Sequence, residues 1–342
     1  MLSMRQKAAE TTGTLRGVRA LFEFLIDRMV YRMKVLITGG AGFIGSHLVR
    51  KLQAEGHEAV ALDNLSTGLK ENLPAGTELV EMDVCSDGLE NVVAVGAFDA
   101  IVHLAGQTMV NVSIDDPAFD AQQNILGSVH VLDAARKNGV KRVIFASTAA
   151  SYGDVLEAEL PIKETKLLVP MSFYGLSKVT VEHYLDLYHK IFDLDYVVLR
   201  FANVYGERQG DGGEGGVISI FAKRIAQEKE ITIFGDGEQT RDFVYAGDIA
   251  AGIFAALQTD QVNASYNLST QTETSLRELV NILSNIAGRK IIPKYGPERE
   301  GDIYKSMLSN ARAKRGLGWK PVVPLEEGLK RTYEHFVEKN KQ

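Results

Sequence analysis

From Lys34 onward the chain repeats one pattern: a short apolar run, a break rich in glycine or polar residues, then a stretch with apolar residues at helical spacing. Lys34–Thr38 is the first such run, and Ala59–Leu62, Glu78–Met82, Ala100–Leu104, Arg142–Ala146 and Tyr196–Leu199 follow as buried-strand candidates. Helix-period segments lie between several of them: up to Leu52, over Asn124–Asn138 and over Tyr174–Lys190. Runs that are apolar throughout suit strands covered on both faces. Strands alternating with helices imply a parallel sheet. The pattern therefore predicts an α/β fold with a Rossmann-type doubly wound parallel sheet over residues 33–200.

After Arg200 the rhythm loosens. A glycine-dense loop, Gly206–Gly216, precedes a helix near Ile218–Gln227, a strand at Ile231–Phe234, and helices near Ala246–Leu257 and Ser275–Ala287. This predicts a smaller α/β C-terminal lobe over 201–342, with residues near 240–260 returning to the first domain. Residues 1–32 read as an N-terminal appendage or a mis-assigned start, with Met29 or Met33 as the natural beginning. Leu21, Phe24, Leu25 and Arg28 sit at helical spacing there, so a short amphipathic helix that binds a membrane or a partner is the alternative.

Composition narrows the class. Of 342 residues, 45% are hydrophobic and 24% charged, an ordinary globular balance, and the formal charge is −6. An acidic chain has no electrostatic reason to seek nucleic acid or an anionic membrane surface, and no run is long enough to span a membrane. The single Cys85 cannot form an intramolecular disulfide, which predicts a reducing compartment, the cytoplasm, and a cysteine used as a small core residue. The histidines show no HxxxH or HExxH spacing, so no metal site is expected. No GxSxG elbow is present either, against an α/β-hydrolase.

The glycines carry more information. Thr38-Gly-Gly-Ala-Gly-Phe-Ile-Gly45 lies between the first strand and the first helix. Glycines at 39, 42 and 45 permit a tight turn, close approach of backbone to a pyrophosphate, and close helix–strand packing. The helix N-terminus adds free N–H groups and positive dipole. Asp63 follows the second strand, where a carboxylate accepts the adenosine ribose hydroxyls and repels a 2′-phosphate, pointing to NAD over NADP; a helix-cap or turn aspartate is the other reading. Asp83, after the third strand, is a candidate contact for the adenine edge.

Tyr174-Gly-Leu-Ser-Lys178 places a phenol and an ammonium on one helix face. A tyrosine near its ordinary pKa of about 10 is a poor base; a neighbouring cation favours the phenolate. Ala146-Ser-Thr148, past the fifth strand, offers a hydroxyl to the same substrate oxygen.

Together these residues resemble the extended short-chain dehydrogenase/reductases, the superfamily of NAD-dependent nucleotide-sugar epimerases and dehydratases. The likeness runs from Met33 to about Tyr333 through TGGAGFIG at 38–45, DNLSTG at 63–68, HLAG at 103–106, YGLSK at 174–178, RFANVYGERQ at 200–209 and TIFGDGEQTRDFVY at 232–245, and is greatest to UDP-glucose 4-epimerases. It implies that Tyr174 is the base and acid at the sugar 4-hydroxyl, Lys178 its partner and nicotinamide-ribose ligand, and Thr148 the helper hydroxyl. It implies NAD contacts from Gly39, Gly42, Phe43, Ile44, Gly45, Asp63, Asn64, Asp83, Val84, Leu104, Ala105 and Gly106. Asn203, Arg241 and Arg299 are similar to residues that grip the UDP diphosphate, and Val217 and Phe234 to the uridine pocket. A guanidinium suits the diphosphate because its fork matches phosphate oxygens; pairing of Arg241 with Asp242 or Asp248, and a solvated Arg299, are the bland alternatives.

Family dehydratases carry an Asp-Glu pair after the catalytic threonine, and UDP-glucuronate decarboxylases a glutamate two residues after it. Ala149 and Ala150 stand there and cannot transfer protons. The resemblance therefore implies a UDP-hexose 4-epimerase, with Ser306 bordering the sugar pocket and leaving room for an N-acetyl group. Gln107-Thr108-Met109 fits no substrate-contacting pattern, so UDP-glucuronate stays an alternative substrate, and a catalytically silent NAD-binding sensor is the alternative of a different class. The resemblance implies a homodimer through about Asn124–Asn138 and Tyr174–Lys190, with Tyr184, Leu185 and Tyr188 either on that face or buried within the monomer; Trp319 is expected to pack in the small lobe.

Overall fold

A computed structural model describes residues 32–210, 216–298 and 303–341. The predicted helix near residues 20–30, the middle of the glycine-dense loop and Arg299 lie outside the described residues. Seven parallel strands form the main sheet in the order β11-β6-β5-β4-β1-β2-β3: β1 (Lys34–Thr38), β2 (Glu58–Asp63), β3 (Glu78–Glu81), β4 (Ala100–His103), β5 (Arg142–Thr148), β6 (Asp195–Phe201) and β11 (Ala264–Leu268). Each predicted strand appears within a few residues of its expected ends. Because the runs Val-Leu-Ile at 35–37 and Val-Val-Leu at 197–199 are buried on both sides, helices must cover both faces. On one face lie α1 (Phe43–Ala54) and α6 (Ala246–Gln258), packed together; on the other α2 (Leu89–Gly96), α3 (Gly127–Lys137) and α4 (Phe173–Phe192). The order reverses between β1 and β4, where loops diverge and a crevice opens at the strand carboxyl ends, the usual ligand position in this architecture.

Two departures from the expected elements have local causes. The helix expected from Asn124 instead begins as a π-turn, Ala121–Leu126, and becomes regular only at Gly127. Gly127 lies against the Val84 side chain, where an added Cβ would approach to 2.9 Å. Strand β11 carries Ser265 and Asn267 among its apolar residues, so its membership of the sheet is invisible to an apolar-run criterion. It pairs in register with β6, Ala264 opposite Val197 through Leu268 opposite Phe201.

The rest builds small parallel and antiparallel pairs: β7 (Asn203–Tyr205) with β10 (Phe243–Tyr245), β9 (Thr240–Arg241) with β12 (Thr274–Ser275), and β8 (Thr232–Phe234) with β13 (Lys294–Gly296). Around them α5 (Val217–Ala226), α7 (Leu276–Ile286) and α8 (Leu325–Lys339) close a second apolar core that includes Phe221, Ile233, Leu279 and Leu329. Leu185 and Tyr188 are buried in the main core, leaving Tyr184 of the three candidate face residues exposed. Trp319 packs somewhere other than expected: its indole N–H donates to the Asp248 carbonyl (2.8 Å) in α6, beside Gly252 and Leu268, so it seals the main sheet's flank. Cys85 packs against the main core as anticipated. No helix among the described residues is long and apolar enough to cross a membrane.

Candidate active site

The glycine turn joins β1 to α1. Gly39 has φ +70°, a conformation that favours glycine, and a Cβ there would lie 2.8 Å from the Ala105 nitrogen. A Cβ on Gly45 would collide with the Gly39 carbonyl and come within 2.8 Å of the Gly40 Cα. The first turn of α1 has no side-chain cap and no acidic residue, so the amides of Phe43, Ile44 and Gly45 and the positive helix end are left for an anion. An uncapped helix end behind a backbone-only turn fits the diphosphate of a dinucleotide.

Asp63 ends β2, and burial raises its carboxyl above the ordinary range against backbone hydrogen bonds from Leu65, Ala41 and Gly42. The Ala41 and Leu65 amides donate at 2.9 Å each. Asp63 therefore braces the glycine turn. Asn64 donates to Asp83 (2.7 Å), and Asp83 accepts the Cys85 amide (2.8 Å), with Val84 buried beside them. Leu104, Ala105 and Gly106 follow β4, and the Ala105 amide reaches the Thr38 hydroxyl. All the expected cofactor contacts thus line the carboxyl edge of the sheet.

The expected catalytic trio comes together in three dimensions. Thr148, the last residue of β5, accepts the Ala150 amide (3.1 Å) and shares a hydrogen bond with the Tyr174 phenol. Ser172 caps α4 by accepting the Gly175 amide (3.1 Å), which fixes Tyr174 in the first turn. Lys178 is 4% exposed, with its Nζ 4.9 Å from the Phe145 ring centroid and 5.9 Å from that of Tyr174. Burial pushes the Tyr174 phenol up to about 12, with the Thr148 hydrogen bond pulling it down and the Asp120 carboxylate pushing it further up. Burial pulls the Lys178 ammonium down to about 8, and Asp120 opposes that fall. Both shifts favour the neutral forms and set the proton affinity of the phenol above that of the ammonium, so Tyr174 holds its proton until a neighbouring positive charge favours the phenolate.

Residues expected at the substrate end converge through the small sheets. Asn203 lies opposite Phe243, next to Arg241, whose Nη1 donates to the Thr240 (2.8 Å) and Tyr304 (3.4 Å) carbonyls. Lys305 bridges to Thr240 in parallel, bringing Ser306 beside Arg241. Val217 begins α5 and Phe234 ends β8, both partly exposed. Asp242 accepts from the Thr270 and Gln271 amides and the Thr270 hydroxyl, so its carboxylate anchors the 270 loop.

Sequence reasoning missed a supporting layer. Gln107 turns inward: its amide nitrogen donates to the Met109 carbonyl (2.9 Å) and to Asp120 (2.8 Å). Glu182 and Arg200 form a buried bidentate pair, at 3.0 and 2.5 Å, joined by Ser147 (2.6 Å) and Tyr152 (2.9 Å). Glu182 falls one turn past Lys178, a helical spacing that could have signalled it.

Known proteins resemble this chain over most of its length. A UDP-glucose 4-epimerase of Mycolicibacterium smegmatis is 40% identical over 314 residues, covering 90% of this chain and all of that protein. The crystal structure of the Thermotoga maritima UDP-glucose 4-epimerase with UDP-glucose has a TM-score of 0.87 and 41% identity, covering 91% of this chain and 100% of that one. A UDP-N-acetylglucosamine 4-epimerase from Methanobrevibacter ruminantium, in complex with UDP-N-acetylmuramic acid, has a TM-score of 0.86 and 33% identity over 91% of this chain and 100% of that one. The profile of the NAD dependent epimerase/dehydratase family matches residues 35–269, from β1 through the last strand of the main sheet, and the chain belongs to that family.

Proposed function

We propose that the protein interconverts the C4 epimers of a UDP-hexose, UDP-glucose and UDP-galactose foremost, with the N-acetylhexosamine pair as further substrates. The observation that carries this reading is the Thr148–Tyr174–Lys178 trio with Ala149 and Ala150 beside it. NAD, when bound, supplies a hydride acceptor and donor at its nicotinamide. Tyr174 takes the proton of the sugar 4-hydroxyl as C4 becomes a ketone, and returns it to the same oxygen when C4 is reduced. Thr148 hydrogen-bonds that oxygen and sets its direction toward the phenol. Lys178 stabilises the phenolate and offers its remaining donors to the nicotinamide ribose. With alanine at 149 and 150, no acid or base stands there for elimination or decarboxylation, so the ketone has one productive exit, reduction from its other face.

Asn203, Arg241 and Arg299 hold the UDP diphosphate in this reading, Val217 and Phe234 flank the uridine, and Ser306 leaves space at the sugar. Gly39, Gly42, Phe43, Ile44, Gly45, Asp63, Asn64, Asp83, Val84, Leu104, Ala105 and Gly106 line the NAD site. The working form is a homodimer: Phe173, Leu176, Leu187 and Ile191 of α4 are 46–65% exposed, an apolar strip that a second copy would cover. Incubating the protein with a panel of UDP-sugars and following 4-epimer formation by NMR tests the activity. A 4-keto-6-deoxy product or a pentose would overturn it; no turnover of N-acetylated sugars by wild type and Ser306→Gly alike would remove the wider substrate range. Light scattering reads the dimer, and a monomeric mass would refute it.

A further inference from the structure

Lys178 is buried, yet among the described residues no carboxylate forms an ion pair with it; its near neighbours are the Phe145 and Tyr174 rings. An ammonium held in such a place without counter-charge loses its proton. Three ionisable side chains surround it from the packed elements. His103, at the end of β4, is neutral, its imidazole pushed down to about 3 by burial and by Lys178 itself. Glu182, one turn further along α4, is committed to Arg200 of β6 and to Ser147. β5 otherwise presents the hydroxyl of Thr148. The third is Asp120, at the end of the short helix Pro117–Asp120, 1% exposed, and its charge acts on both Tyr174 and Lys178.

The surroundings of Asp120 are built to hold it there. Its Oδ1 accepts from the Gln107 (2.8 Å) and Asn124 (2.9 Å) amides. Asn124 Nδ2 also reaches the Gln107 carbonyl (3.0 Å) and the Ser177 hydroxyl (3.2 Å), next in sequence to Lys178. The π-turn supplies this geometry, since it turns Asn124 inward against α4. Asn124 Oδ1 is buried and has no hydrogen-bond partner among the described residues; it lies against Gly106, and Lys178 Nζ stands 3.8 Å from where a Gly106 Cβ would be.

We propose that Asp120 is a positioning residue for the reaction: held by Gln107 and Asn124, its carboxylate supplies the counter-charge for the Lys178 ammonium and ties the loop after β4 to the catalytic helix. This rests on the epimerase reading above. Its two effects have a distinctive signature. The carboxylate keeps the proton on Lys178 and also on Tyr174, so removing the charge makes both groups deprotonate at lower pH.

Asp120→Asn keeps the shape and an acceptor while removing the charge, and Asp120→Ser is a second variant should the first fold poorly. Both limbs of the pH profile of kcat/KM for UDP-galactose should move down by about one pH unit. Gln107→Met, which keeps the charge and cuts the amide bonds, should lower the rate with the limbs in place. In substrate-free protein, the Lys178 ε-carbon resonance should titrate about one pH unit lower in Asp120→Asn. A rate loss with neither limb moved, together with an unshifted Lys178 titration, overturns the proposal. Absence of epimerisation by the wild type would refute the epimerase reading instead, and the resonance titration would still decide the counter-charge.

Discussion

Removing Glu182 should test how far the site depends on a buried ion pair. The carboxylate lies 8% exposed between α4, β5 and β6, and both its oxygens are taken by Arg200, with Ser147 as a third donor. Arg200 also donates to Tyr152, whose hydroxyl passes to Asn267 (2.7 Å) in β11. In Glu182→Ala the guanidinium keeps Tyr152 and the Glu164 carbonyl (3.3 Å) but loses its charge partner. Deleting one member of such a pair costs about 3–5 kcal/mol, chiefly from the charge left buried and unpaired. At about 2 °C per kcal/mol for a chain of this size, Tm should fall by about 6–10 °C. The pair Glu182→Leu with Arg200→Met replaces both charges by apolar groups and should recover at least about 2 kcal/mol of the summed single losses. Thermal and urea unfolding of the four proteins closes the cycle. Because Ser147 precedes Thr148 and Glu182 shares a helix with Tyr174, Glu182→Ala should also lower kcat by about 10-fold or more through misalignment. A single-variant cost below about 1 kcal/mol, or coupling below about 0.5 kcal/mol, would refute the argument that this pair locks β5 to α4.

Other perturbations read different parts of the molecule. Tyr174→Phe removes the proton carrier and should reduce kcat by about 100- to 10,000-fold with little change in Tm, measured by UDP-galactose turnover. Gly45→Ala forces a methyl into the Gly39 carbonyl, so the purified variant should carry less NAD and lose about 1–3 kcal/mol of stability; undiminished NAD content would count against the diphosphate placement. His103 is neutral when folded, pushed down to about 3 by burial and Lys178, between the Thr38 (2.7 Å) and Ser128 (2.9 Å) hydroxyls. Between its unfolded value of about 6.5 and about 3 the unfolded chain binds the extra proton, so stability should fall by up to about 1.4 kcal/mol per pH unit as pH drops through that window. Urea titrations at stepped pH should show this slope reduced in His103→Asn.

The sequence alone determined the positions of the first six strands along the chain, the glycine turn, and the Tyr174–Lys178 pair, because each is written in short-range spacing. A buried parallel strand shows as an unbroken apolar run, and residues four apart share a helix face wherever the helix goes. It also disfavoured dehydration and decarboxylation, through two alanines that follow Thr148 directly. The tertiary structure decided what depends on distant partners. β11 joins the sheet by pairing with β6, although Ser265 and Asn267 break its apolar pattern. Leu185 and Tyr188 are core rather than surface because α3 and the sheet lie over that side of α4, which periodicity cannot orient. Glu182 with Arg200, and Asp120 with Gln107 and Asn124, are polar residues whose burial follows only once separate segments have closed around them. Short-range pattern sets which elements form and which faces are apolar; whether a buried charge has a partner is settled only by which elements meet.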